Sequence, residues 1–157
     1  MVIIDGYNLL HCIQKVAEGY ESISDVQLCH IISRYLKLTG EKGKIIFDGI
    51  GPVNKSQLSG INNLEVFFTG LATDADTVIE DKIRASTAPR RLVIVSSDRR
   101  LQKAARARRA VFMKCEVFWA KLQKRLTKDR KIKEPSAKRH GLSQAETKQW
   151  LEFFGIE

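Results

Sequence analysis

The chain has 157 residues, 43% of them hydrophobic, which is one domain's worth with enough apolar surface to bury a core. No apolar run approaches the roughly 18 residues of a membrane span, and the opening run is too short for a signal peptide, so a cytoplasmic protein with no membrane partner is expected. Charge is divided unevenly: residues 1–78 hold six Lys and Arg against nine Asp and Glu, net −3, whereas residues 79–157 hold 21 against nine, net +12. Such asymmetry within one domain predicts a basic face, for which nucleic acid is the commonest polyanion and a merely solvated surface the plainer account.

Val2, Ile3 and Ile4 are apolar and β-branched and predict a short strand too hydrophobic for a solvated edge, hence the central strand of a parallel sheet. It ends on Asp5; Gly6 lets the backbone turn, and Asn8 offers a second oxygen in the crevice beyond the strand's carboxyl end. Leu9 to Val16 reads as a short helix or a loop, interrupted at Gly19. Ser24 is an N-cap for a helix with Leu28, Ile32, Tyr35 and Leu36 on one face, closed by Gly40. A second strand, Lys44 to Phe47, again runs into Asp-Gly at Asp48 and Gly49. Residues 49–62 read as a loop and Leu64 to Phe68 as a third strand.

Thr73 or Asp74 caps the next helix, in which Val78, Ile79 and Ile83 face inward and Asp76, Glu80 and Asp81 do not. A fourth strand from Leu92 is followed by Ser96, Ser97 and Asp98, and Asp98 is placed to cap a helix from Arg99 to about Arg109. Val111 to Met113 makes a fifth strand, and a helix from about Cys115 to Thr127 buries Phe118, Leu122 and Leu126. The domain thus runs over residues 1–128. Residues 129–141 are charged, contain Pro135 and lack periodicity, which reads as a basic linker. A capping box from Ser143 to Glu146 opens an amphipathic helix over residues 142–157, whose Trp150, Leu151, Phe153 and Phe154 require a surface, either on the domain itself or on a partner such as a second subunit or the ribosome. Cys12, Cys29 and Cys115, odd in number and set among apolar neighbours, read as reduced core thiols rather than disulfides or a zinc site.

Strand-helix alternation implies an α/β fold with a parallel sheet covered by helices on both faces. Every strand of such a sheet ends on one rim. Asp5, Asp48 and Asp98 each follow a strand, and Asp76 lies in the first turn of a helix entered from the same rim, so up to four carboxylates converge on one crevice. Two ionised carboxylates about 5 Å apart repel by roughly 3 kcal/mol at an effective dielectric of 20, a cost that a divalent cation removes. Oxygen-only ligands suit Mg²⁺ or Mn²⁺. Each carboxylate also has a plainer role as a helix cap or turn residue, Asp98 and Asp48 above all. No Gly-rich phosphate loop follows the first strand, which argues against a nucleotide-binding domain.

The ordered motifs Val2 to Asn8, Ile46 to Asp48, Phe67 to Thr69 followed by Ala75 to Glu80, and Val95 to Asp98 resemble those of the NYN/YacP-like group of PIN-like ribonucleases, over residues 1–113. The resemblance implies a three-layer α/β/α PIN-like fold with a mainly parallel sheet of about five strands. It also implies metal-dependent RNA endonuclease activity, with acidic metal-site residues at Asp5, Asp76 and Asp98 and with Asn8 alongside. Where that family commonly has an acidic residue after the Ala-Asp pair, this chain has Thr77. On this expectation Asp5, Asp76 and Asp98 are catalytic, Asp48 joins them at the metal, and Asn8, Ser97, Arg99, Arg100, Lys103 and Arg106 contact a messenger, ribosomal or transfer RNA. The other expectation is an RNA- or ribosome-binding adaptor of the same fold without chemistry; the retained carboxylates speak for the enzyme, because an acidic crevice does not help a pure binder of polyanions.

Overall fold

The computed structural model describes residues 1–16 and 23–133. The interruption expected at Gly19, the linker beyond residue 133 and the helix expected over 142–157 lie outside them. Five strands, β1 (Val2–Asp5), β2 (Gly43–Phe47), β3 (Leu64–Phe68), β4 (Val93–Val95) and β5 (Val111–Met113), pair in the order β3-β2-β1-β4-β5, every pairing parallel. The opening strand is the central one, as its unbroken apolar run demands: Val2, Ile3 and Ile4 are all at most 3% exposed, so both faces are covered.

The covering layers differ. On one face lie α1 (Gly6–Val16), α2 (Asp25–Thr39) and α5 (Cys115–Lys133), packed over Val2, Ile4, Ile45, Phe47 and Val95. On the other lie α3 (Ala75–Ala85) and α4 (Arg99–Ala107), over Ile3, Ile46 and Ile94. Alternate residues of β1 serve the two faces, as the period of two requires. The three cysteines are free and buried in the first layer, and burial pushes the thiols of Cys29 and Cys115 up to about 12, so they behave as small apolar groups rather than nucleophiles.

Helix boundaries follow local chemistry. The Ser24 hydroxyl accepts from the Gln27 backbone N–H (3.1 Å) while the Gln27 side chain accepts from the Ser24 N–H (2.8 Å), and Gly40 closes α2 in the left-handed region at φ 69°. Asp74, not Thr73, caps α3, accepting from the Thr77 N–H at 2.7 Å. Two elements extend past their sequence-based bounds. The first helix starts at Gly6 rather than Leu9, directly on the end of β1, and buries Leu9, Leu10, Cys12 and Ile13. The last described helix continues through Lys133, so residues 129–133, expected to begin the linker, are helical. Their charged composition hides the period, but the helix propagates from a packed segment and Asp129 pairs with Arg34 of α2 at 3.4 Å.

Candidate active site

The strand order reverses direction between β1 and β4, and in an open parallel sheet the crevice outside the carboxyl ends of the strands at that point receives ligands. Asp5 is the last residue of β1 and Gly6 the first of α1. Only glycine fits at this junction: a Cβ on Gly6 would lie 2.4 Å from two carbons of the Phe47 ring. That ring is itself fixed, with Tyr7 edge-on at 5.1 Å and Phe68 stacked at 5.2 Å. The abrupt passage from strand to helix is thus set by packing, and it leaves the Asp5 carboxylate under the start of α1.

Asp5 is 6% exposed, and its carboxyl is pushed up from 3.8 to about 6. Burial is the main cause and the Asp76 charge the next; hydrogen bonds from the Ser96 hydroxyl and the Asn8 backbone N–H oppose them, and the Asp48 charge adds a smaller push upward. Asp76, in the first turn of α3, is also raised, by burial and then by Asp98, with Arg100 pulling the other way. Asp5 and Asp76 thus feel one another's charge, Asp48 acts on both, and Asp98 acts on Asp76. Two of them carry structural duties as well. The Asp48 Oδ1 accepts from the Ala75 N–H at 2.7 Å, tying the end of β2 to the start of α3 and so placing Asp76. The Asp98 Oδ1 accepts from the N–H groups of Arg100 and Leu101, at 2.7 and 3.3 Å, capping α4.

Ser96, which sequence reasoning did not single out, links the Asp5 carboxylate to the backbone at Asp98. It is fully buried, its hydroxyl donates to Asp5 Oδ2 at 3.1 Å, and its oxygen accepts from the Asp98 N–H at 3.1 Å. Asn8 is a clamp: its Oδ1 accepts from the Ser97 N–H at 2.8 Å and from the Cys115 thiol at 3.1 Å, joining α1, the loop after β4 and α5. The Ser97 hydroxyl in turn donates to Glu116 at 3.3 Å. Glu116 was also missed, although it stands in the first turn of the helix after β5, the same relation to a strand that pointed to Asp76.

The basic residues begin at this rim and lead away from it. Arg99 and Arg100 open α4 beside Asp98, Lys103 follows one turn on, and Arg106 lies in the last turn, about 12 Å along the axis from Asp98 at 1.5 Å per residue. Arg99, Lys103 and Arg106 are exposed. Arg100 is held across the mouth by a bidentate pair with Glu80, both contacts at 2.8 Å, and reaches the Thr77 hydroxyl at 3.4 Å. The pair holds the Glu80 carboxyl below its usual range, the hydrogen bond from Arg100 being the main cause.

Among the described residues no three His, Cys, Asp or Glu side chains stand close enough together to enclose a metal ion. The oxygen-only, desolvated pair of Asp5 and Asp76 still fits a hard divalent cation of the Mg²⁺ type, which is ordinarily held by one or two carboxylates with water and substrate phosphate completing its shell. No described helix is long and apolar enough to cross a membrane.

The sequence profile of the YacP-like NYN domain matches residues 2–154. A crystal structure of Rae1 (YacP) from Bacillus subtilis superposes with a TM-score of 0.69 at 18% identity, covering 99% of this chain and 92% of that one. A tryptophan-to-leucine mutant of the same Bacillus protein gives 0.61 at 20% identity, covering 93% and 88%. No curated protein matches the chain in sequence.

Proposed function

From the premise that the chain belongs to the YacP-like NYN domain family, with a PIN-like α/β/α fold, we propose that it is a metal-dependent RNA endonuclease hydrolysing phosphodiester bonds at the acidic rim. The observation that carries the reading is the buried Asp5 carboxylate, raised to about 6 chiefly by burial and then by Asp76. A protein does not gain stability by burying repelling carboxylates, and this supports a role for them in use, with a cation joining them.

Bound Mg²⁺ or Mn²⁺ supplies neutralisation of the carboxylates and Lewis-acid polarisation of the scissile phosphate. Asp5 and Asp76 would hold it in this reading, with Asp98, whose Oδ1 caps α4, and Asp48, already committed through one oxygen to Ala75, as outer members. Ser96 fixes Asp5 relative to Asp98, and Asn8 holds the β4 loop so that Ser97 borders the crevice. Arg99, Lys103 and Arg106 grip the flanking RNA backbone, and Arg100 joins them by leaving Glu80 for a phosphate, a bidentate exchange its planar fork permits. The substrate class is messenger, ribosomal or transfer RNA, free or on the ribosome. Buried reduced thiols suit a cytoplasmic location.

The lack of a ready three-ligand group among the described residues favours a second reading, an RNA- or ribosome-binding adaptor without chemistry. One experiment separates them. Purified protein is incubated with RNA in Mg²⁺, Mn²⁺ or chelator, beside Asp5→Asn and Asp76→Asn. The enzyme reading expects metal-dependent cleavage, reduced at least 100-fold in each variant; RNA bound with salt-sensitive affinity and cleaved by no form establishes the adaptor.

A further inference from the structure

The acidic rim is one end of the sheet, and the opposite end, where β4 and β5 begin, carries the opposite charge. β4 is entered through the tight turn Pro89–Arg91, and β5 through the turn that ends α4 at Arg108, Arg109 and Ala110. The Val111 N–H donates to the Leu92 carbonyl at 2.9 Å, so the two turns abut on neighbouring strands. Arg90, Arg91, Arg108 and Arg109 are all exposed there. Arg108 is engaged with the Ser86 carbonyl at 2.9 Å; among the described residues Arg90, Arg91 and Arg109 enter no ion pair.

A second observation singles out Arg109. The end of α4 is a Schellman motif: the Ala110 N–H donates to the Ala105 carbonyl at 2.9 Å and the Arg109 N–H to the Arg106 carbonyl at 3.0 Å. Arg109 occupies the left-handed position of that motif at φ 59°, where glycine is the usual residue, and among the described residues it is the one non-glycine with positive φ. The fold would be served better by glycine. Arginine at this position adds a third unpaired guanidinium to a corner already made basic by a Pro-stiffened turn.

We propose that Arg90, Arg91 and Arg109 form a second RNA contact that holds phosphates of a folded RNA on the rim opposite the carboxylates. Guanidinium forks match phosphate oxygens, and three on two rigid turns lose little freedom on binding. Arg91 and Asp98 flank opposite ends of β4, seven positions apart and at most about 23 Å at about 3.3 Å per residue, so the two rims do not grip the same phosphates. A short single-stranded oligonucleotide reaches the acidic rim alone, whereas a long folded RNA reaches both. The inference goes beyond the cleavage reading and needs only that the ligand is RNA.

The test compares the full chain with the triple variant R90Q/R91Q/R109G, and with R109G alone. Because glycine relieves the left-handed backbone, R109G is expected to melt at or above the wild-type temperature, so lost binding is not lost folding. For a folded RNA of several tens of nucleotides, the triple variant is expected to bind about tenfold more weakly near physiological salt, with the slope of log K against log salt reduced by about 2. Binding of a short oligonucleotide is expected to be unchanged. Wild-type affinity and slope for the folded RNA, or an equal loss for the oligonucleotide, would overturn the second site. A wild-type protein that binds folded RNA through these arginines yet cleaves nothing refutes the nuclease reading and supports this one; cleavage of the oligonucleotide with no arginine effect on folded RNA does the reverse.

Discussion

At the scale of single residues, Asp5 carries the most information. Its folded-state value, about 6, lies above the ordinary 3.8, so between those values the folded chain holds the proton more tightly than the unfolded one. The stability tied to this residue is therefore full below about pH 4 and is lost as pH rises through 6. A difference of this size corresponds to about 3 kcal/mol as an upper bound. Asp5→Asn is accordingly expected to stabilise the metal-free protein by about 1 to 3 kcal/mol at pH 7 and by almost nothing at pH 4. Urea unfolding at the two pH values measures this, and parallel curves at both would show that the carboxylate is not strained. Saturating Mg²⁺ is expected to raise the melting temperature of the wild type and not of the variant. The acid itself was legible in the sequence because it ends an apolar strand on Asp-Gly. Its neighbours' duties were not: the partners of Asn8 and Ser96 come from 89 and 91 positions away, and no local pattern encodes such a pairing.

Elements are where cap and site coincide. Asp98 accepts two backbone N–H groups at the start of α4 and also raises Asp76, and two substitutions divide these roles. Asp98→Asn keeps an oxygen for the cap and removes the charge; Asp98→Ala removes both. Thermal or chemical denaturation is expected to find Asn within about 0.5 kcal/mol of wild type and Ala about 1 kcal/mol lower, while both lose RNA cleavage to a similar extent. Full activity in Asp98→Asn would reduce Asp98 to a helix cap. Five strands and the caps at Ser24, Gly40 and Asp98 were readable because each rests on local chemistry. The start of α1 was not, since it depends on Phe47 leaving no room for a side chain at Gly6. Nor was the reach of α5 to Lys133, because the last turns of a helix are held by the packed turns before them rather than by their own period.

Across the whole molecule, charge is sorted along the strand axis. Carboxylates gather where the strands end and arginines where β4 and β5 begin, with α4 carrying basic residues from one rim toward the other. The division between an acidic first half and a basic second half, visible in composition, is laid across the sheet as well, because β3, β2 and β1 of the first half occupy one side and β4 and β5 of the second half the other. On the proposed reading, a net charge of +9 attracts RNA at long range, and the acidic crevice then admits a phosphate only together with a cation. This coupling of phosphate to cation is tested by a crystal structure of the protein soaked in Mn²⁺, read by anomalous scattering: a peak is expected at coordination distance, about 2.0 to 2.3 Å, from carboxylate oxygens of Asp5 and Asp76, and a map with no peak in the crevice at saturating Mn²⁺ would rule the coupling out.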